Sequence, residues 1–259
     1  MASGSARSIG SGTISFGLVS VPFKLYVAAK PEDIGFNLLH DKCKGRVKQQ
    51  YVCPTCGGEV IERAHMCKGY EVTKDSFVSF TDEELKKLQP GKTDSLEVVE
   101  FVPVDSVDPA QIEKSYYIGP DKGGEKAYQL LSLAMRETEC AAVGKFWTHG
   151  RTQLVVLRAY QGGIIMQFLF FRSEVRPFDG IAPAKDAGFK PAEVDLAKKL
   201  VKQLSSKAFK PEKYRDEQLD RVREAIDQKA AGRELSLPDM PPAPAITDLF
   251  EALKRSIRT

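Results

Sequence analysis

The sequence predicts an α+β fold in which a β-rich body comes first and helices follow. Three observations predict it. β-type runs recur from Thr13 to Phe171, three of them are separated only by short turns, and helical periodicity takes over after Pro183. Strands followed by helices, with a meander among the strands, describe a largely antiparallel sheet able to close into a barrel.

Residues 1–11 are small and polar and read as a loose start. Thr13–Val21 reads as one strand and Lys24–Ala29 as the next, with Pro22 between them at a bend or an edge. Tyr70–Phe80 alternates as a hairpin turning near Lys74-Asp75. Thr81 and Glu84 have capping-box spacing, which predicts a short helix through Leu85 and Leu88 that stops at Pro90-Gly91. Leu96–Val104 and Lys114–Ile118 read as strands. Ala127, Leu130, Leu131, Ala134 and Met135 fall on one helical face. The meander is Ala142–Trp147, Gln153–Tyr160 and Ile164–Phe171, with turns at Thr148–Arg151 and Gln161–Gly163.

Past Pro183, Val194, Ala197, Leu200, Val201 and Leu204 mark a helix with Pro191 in its first turn. Tyr214, Leu219, Val222 and Ile226 mark another, ending before Gly232. Ser236–Ala245 carries four prolines and reads as an extended linker. Leu249, Phe250, Leu253 and Ile257 then suggest a short terminal amphipathic helix. The expected domains are therefore 1–183 (a core whose residues 36–80 form a cysteine-bearing segment), 184–235 (helical) and 236–259 (linker and terminal helix).

The 259 residues are 42% hydrophobic and 28% charged, an ordinary balance for a chain with a packed core. Net charge is only +3, so any nucleic-acid surface must come from segregated charge. No apolar run approaches about 18 residues, and no leader is evident, so the expectation is a cytoplasmic protein.

Four of the five cysteines lie in one stretch, spaced Cys43-x9-Cys53-x2-Cys56-x10-Cys67. In Cys53-Pro-Thr-Cys56-Gly-Gly two thiolates can reach one ion, and the glycines let the chain turn tightly beneath it. The expected cofactor is a structural Zn²⁺ held by Cys43, Cys53, Cys56 and Cys67. His40 is separated from Cys43 by two residues and competes with Cys67 for the fourth place; His65 is a weaker candidate. The competing reading is a set of reduced cysteines packing as small apolar groups. Cys140 reads as core.

The same stretch concentrates charge. Lys42, Lys44, Arg46 and Lys48 are four cations in seven residues, and residues 40–70 hold six basic side chains, including Arg63 and Lys68, against three acidic ones. If Lys42–Lys48 is a strand, alternation puts all four cations on one face, a row suited to a phosphate backbone. A merely solvated charged face is the rival reading. Base-reading helix motifs are absent, which favours sequence-independent contact. The sequence shows neither a nucleophile elbow nor a phosphate loop, and it has only three histidines. A non-enzymatic protein is expected. A zinc-ribbon RNA-binding module and a metal-dependent nuclease are the alternatives.

Four stretches carry a resemblance. They are Gly12-Thr-Ile-Ser-Phe-Gly-Leu-Val-Ser-Val-Pro-Phe-Lys-Leu-Tyr26, Lys68-Gly-Tyr-Glu71, Phe101-Val-Pro-Val104 with Ser115-Tyr-Tyr-Ile-Gly119, and Pro211-Glu-Lys-Tyr-Arg215. In this order they resemble the bacterial Ku family. The resemblance implies a Ku-type β-barrel with an extended bridge that closes a homodimeric ring around double-stranded DNA ends. It implies non-homologous end joining with a bacterial ATP-dependent DNA ligase as partner, in a nucleoid-associated setting. It places Arg46, Lys48 and their neighbours on the bridge and offers Lys24 and Arg151 as further DNA contacts. Many relatives end in a long lysine-rich tail; this sequence stops at Thr259, so tail-assisted binding is not expected.

Overall fold

In the computed structural model, residues 6–88, 94–148, 150–178, 181 and 188–235 are described. Two compact units result. One draws on residues up to Pro31 and on Leu38–Arg176; the other joins Glu32–Asn37 to residues from Pro177 onward.

The first unit is built on a closed seven-stranded barrel. Its strands are β1 (Gly10–Phe16), β2 (Val19–Val27), β7 (Ser95–Pro103), β8 (Ile112–Pro120), β9 (Cys140–Thr148), β10 (Arg151–Tyr160) and β11 (Gly163–Leu169), in the spatial order β1-β2-β8-β11-β10-β9-β7. All neighbours are antiparallel except the closing pair, where Thr13–Ser15 of β1 runs parallel to Ser95–Glu97 of β7. The predicted meander is present as β9, β10 and β11, with Phe170 and Phe171 beyond its last strand.

The opening differs from the sequence-based expectation. Thr13–Val21 is not one strand but a tight hairpin, with Phe16 paired to Val19 across Gly17-Leu18. Gly17 takes φ +57°, a conformation glycine adopts without the Cβ penalty. Pro22 lies inside β2 opposite Thr13. The β2–β8 register begins only at the next residue, Phe23 opposite Pro120, and the Pro22 carbonyl accepts the N–H of Asp121. Its missing N–H therefore falls where the ladder with β8 ends.

Inside the barrel, Ile14, Val21, Phe23, Leu96, Ile118, Phe146, Val155, Leu157, Ile164, Met166 and Phe168 form one core with the helix α2 (Glu125–Glu137). The buried face of α2 is Tyr128, Leu131, Ser132 and Met135. Leu130, assigned to that face by periodicity, is 64% exposed. A smaller cluster of Ala141, Val156 and Leu169 packs on the other side of the sheet.

Between β2 and β7 the chain makes a long arm. It holds two short hairpins, β3 (Tyr51–Cys53) with β4 (Glu59–Ile61) and β5 (Lys68–Thr73) with β6 (Ser76–Phe80), each a separate two-stranded sheet. The predicted turn at Lys74-Asp75 is present, with Asp75 at φ +63°. Thr81 and Glu84 form the expected capping box at the start of α1 (Asp82–Lys87). No described residue between Phe23 and Leu96 is buried.

The second unit contains α3 (Pro191–Leu204) and α4 (Glu217–Ala230). Tyr214 precedes α4 and stacks on Phe209, with ring centroids 5.6 Å apart. Arg223 of α4 pairs with Glu32, tying the 32–37 segment into this unit. Expectations for Pro90-Gly91, His149, Ser236–Ala245 and the terminal helix at Leu249 fall outside the described residues. No helix among the described residues is long and apolar enough to cross a membrane.

Candidate nucleic-acid interface and metal-binding turns

The cationic run does not form the predicted strand. Asp41–Cys43 is a turn, Lys44 takes φ +56°, and only an isolated bridge between Leu39 and Arg46 pairs the two sides. A left-handed residue followed by Gly45 reverses the chain, which strand alternation cannot accommodate. Lys42, Lys44 and Arg46 therefore ride on a small exposed loop instead of one sheet face. Among the described residues, Lys42, Lys44 and Lys48 have no ion-pair partner.

The other predicted cations are held differently. Lys68 opens β5 and pairs with Asp82 at 3.2 Å. Arg63 sits over the Tyr51 ring, 5.8 Å from its centroid, and reaches the Tyr51 hydroxyl at 3.5 Å. That stack orients the guanidinium across β3, and Tyr51 is a residue the sequence reading did not single out. Lys24 lies in the middle of β2, not at its end, and pairs with Asp121 at 3.2 Å. The Asp121 carboxyl is held below its ordinary range by the N–H of Lys122 and then by the Lys24 ammonium. Arg151 is the first residue of β10.

The candidate metal ligands form two pairs built alike. In the first, Nδ1 of His40 lies 3.1 Å from Sγ of Cys43, and the Cys43 N–H points at the same nitrogen at 3.5 Å. The loop is closed by Lys44 N–H to the His40 carbonyl and by His40 N–H to the Gly45 carbonyl, both at 2.8 Å. Nε2 of His40 faces Asp41, 3.6 Å from its Oδ1. In the second pair, Cys53 ends β3, and the N–H and thiol of Cys56 both hydrogen-bond to it. Gly58 N–H donates to the Cys53 carbonyl at 3.0 Å, with Gly57 and Gly58 both at positive φ. The Cys56 N–H, followed by its side chain, holds the Cys53 thiol below the usual cysteine range. Hydrogen bonding to Cys53 and then its charge push Cys56 up.

Cys67 follows the short turn Arg63–His65, is exposed, and belongs to neither pair. Among the described residues, no three His, Cys, Asp or Glu side chains come together as one metal-holding group. The arm thus presents two two-ligand turns, each fit to supply half of a tetrahedral thiolate and imidazole site. The signal in the sequence was the parallel between His40-x2-Cys43-x-Gly45 and Cys53-x2-Cys56-Gly-Gly58. Cys140, read as core, begins β9 half-buried and donates to the Thr138 carbonyl at 3.3 Å.

A closed β-barrel whose second and third barrel strands along the chain are separated by an unburied, cation-bearing arm has the build of a binding protein. The chain belongs to the Ku family: the profile of the Ku70/Ku80 beta-barrel domain matches residues 15–202. Its relatives include proteins named "Non-homologous end joining protein Ku". That from Koribacter versatilis is 40% identical over 97% of this chain and 86% of its own length. That from Solibacter usitatus is 38% identical over 98% and 94%. The one from Archaeoglobus fulgidus is 38% identical over 97% and 98%.

Proposed function

We propose that two copies of this chain join through their arms into a ring that threads onto double-stranded DNA ends. The ring holds and bridges the ends without reading sequence and recruits an ATP-dependent ligase for non-homologous end joining. Family membership and the relatives' shared name support the end-joining part. The observation that carries the ring is the unburied arm. Leu38, Tyr51, Val60, Tyr70, Val72 and Phe77 are all exposed in the single chain. Each side chain of that size is worth about 1.5–3 kcal/mol when removed from water, so an arm that buries none of them is supported best by a second copy's arm. A stable dimer interface buries roughly 1,200–2,000 Å², well within the reach of two interlocked arms.

Lys42, Lys44, Arg46 and Lys48, with Arg63 and Lys68, would face phosphates on the inside of the ring. Lys24 and Arg151 are secondary contacts on the barrel. Affinity then comes from released counterions, and selectivity for breaks comes from topology, because a closed ring admits DNA only at a terminus. A structural zinc ion in the arm belongs to the same reading: it would hold the cationic loop in one shape and take no part in chemistry. The setting is the nucleoid in the cytoplasm.

The test is a competition gel shift with linear, hairpin-capped and covalently closed circular duplex of equal mass. Linear DNA should compete far better than the circle. Equal competition would remove the threading reading.

A further inference from the structure

We infer that the open end of the barrel is a pocket for one unpaired nucleotide, and that it takes the terminal nucleotide of a single-stranded overhang. The inference extends the DNA-end reading above and fails separately from it.

The two ends of the barrel are built differently. α2 closes one of them, where Tyr128 bonds to Ile118 and Ile164 and Ser132 bonds to Gly163. At the opposite end a cavity of about 390 Å³ enters the barrel. Its lining comes from six of the barrel strands, with Asp94 just ahead of the seventh. Small barrels either fill their interior with side chains or hold one small ligand, and barrel mouths are frequent ligand sites. Gly10 stands in this mouth, and a Cβ placed on it meets nothing within 4 Å.

The mouth also lies where a DNA end would come. The arm leaves the barrel after Val27 of β2 and returns at Ser95 of β7, so arm and mouth share one rim. A duplex held by the arm's cations therefore lies nearer this end than the end that α2 closes.

The chemistry of the mouth suits a nucleotide. Ile118, Phe146 and Val155 face the core, and alternation from them puts Lys114, Tyr116, Thr148 and Gln153 on the inner side at the mouth. Beneath them lies an aromatic floor of Phe23, Phe146 and Phe168, with successive ring centroids 6.1 and 6.0 Å apart. Lys114 Nζ stands 5.0 Å from the Phe168 centroid. Among the described residues its one ion pair is with the adjacent Glu113, at 3.5 Å and with both side chains nearly 40% exposed, which is weak. The Gln153 amide turned with its oxygen to the Arg151 guanidinium, at 3.0 and 3.2 Å, keeps its NH2 for a ligand. A base then stacks on the floor, its edge meets Gln153 and Tyr116, and its phosphate meets Lys114. Stacking tolerates any base, in keeping with binding that does not read sequence. The space holds one nucleotide and no duplex. A nucleotide already unpaired also enters without the cost of breaking a pair.

The experiment compares linear duplexes, blunt or with a short overhang of either polarity, in gel shifts with the full-length protein. The terminal overhang base is iodouracil, for photo-cross-linking. Wild type should favour an overhang by about 5-fold or more, with the cross-link on residues of the mouth. Lys114→Ala, and Gly10→Phe, which fills the mouth and leaves the charge, should each reduce the preference to about 2-fold or less at unchanged blunt-end affinity. Lys114→Arg should keep it. Free thymidine monophosphate and inorganic phosphate are titrated in parallel against the fluorescence of Trp147, the chain's one tryptophan, whose carbonyl accepts the Asp94 N–H at the rim. No overhang preference in wild type, or one that survives Gly10→Phe, would overturn the inference. Quenching by the free nucleotide without overhang preference would assign the pocket to free nucleotides, and a response to phosphate alone would assign it to anions; either overturns it. Equal competition by circular DNA would remove the threading reading alone, because overhang preference is measured on linear duplex.

Discussion

The Tyr128 hydroxyl donates to the Ile118 carbonyl at 2.6 Å. The same oxygen accepts the Ile164 N–H at 2.8 Å, so one side chain of α2 bridges β8 and β11 where Ile118 and Ile164 face each other. Ser132 adds a bond from the next turn to the Gly163 carbonyl at 2.9 Å. The helix is thus held to the barrel by directional bonds as well as by Leu131 and Met135. Tyr128→Phe keeps the ring and loses both bonds. It should destabilise the fold by about 1–3 kcal/mol in thermal or denaturant unfolding, with DNA affinity of the folded protein unchanged. An unaltered midpoint would mean the bridge contributes nothing net.

The same hydroxyl gives a pH dependence. Burial pushes the Tyr128 pKa above its ordinary value, with the Ile164 N–H partly opposing this. An acid whose folded pKa is raised stabilises in full below its unfolded value of about 10, and that contribution is lost as pH rises through the folded value. Wild type should therefore lose stability in this alkaline window more steeply than Tyr128→Phe.

Gly12 stands where the barrel closes. A Cβ there would lie 2.6 Å from the Asp94 carbonyl and 2.8 Å from the Phe23 ring, beside the Thr13 N–H to Asp94 bond that starts the β1–β7 pairing. Backbone cannot yield cheaply, so Gly12→Ala should cost about 1–3 kcal/mol in chemical denaturation. A neutral result would show that the seam is looser than its geometry.

Charge in the arm should act uniformly. With on the order of 6–8 phosphates neutralised per ring, log K against log salt should slope about −5 to −7. Lys42→Ala, Lys44→Ala and Lys48→Ala should each weaken binding equally across DNA sequences and flatten that slope by about 1 for each phosphate the ring no longer neutralises. Lys24→Ala and Lys68→Ala should do less, because each cation is already paired with a carboxylate. Sequence-dependent losses would point to base reading.

How much was legible follows from which signals are local. The capping box at Thr81 and Glu84, the Lys74-Asp75 turn, the meander and the two helices are short-range patterns, and all are present. The Phe16–Val19 hairpin was missed because apolar residues flank a two-residue turn in which only Gly17 signals a break. Tyr128 was missed because a tyrosine does not score as core, although its hydroxyl is what fixes α2. The cation row was misread as a strand because hydropathy does not report the positive φ of Lys44. The arm was the hardest: Tyr70 and Phe77 look like core side chains, and nothing local says that they stay exposed in one chain. Pairing of His40 with Cys43 and of Cys53 with Cys56 was readable from spacing, because two intervening residues are enough to bring such side chains together in one turn.

The most direct test of the ring is topological trapping. The protein is loaded on linear duplex, the ends are joined into a circle, and the complex is challenged with about 1 M salt, where phosphate contacts alone fail. The ring account predicts that protein stays on the closed circle and leaves when the circle is cut once. Equal release from circular and linear DNA would contradict it.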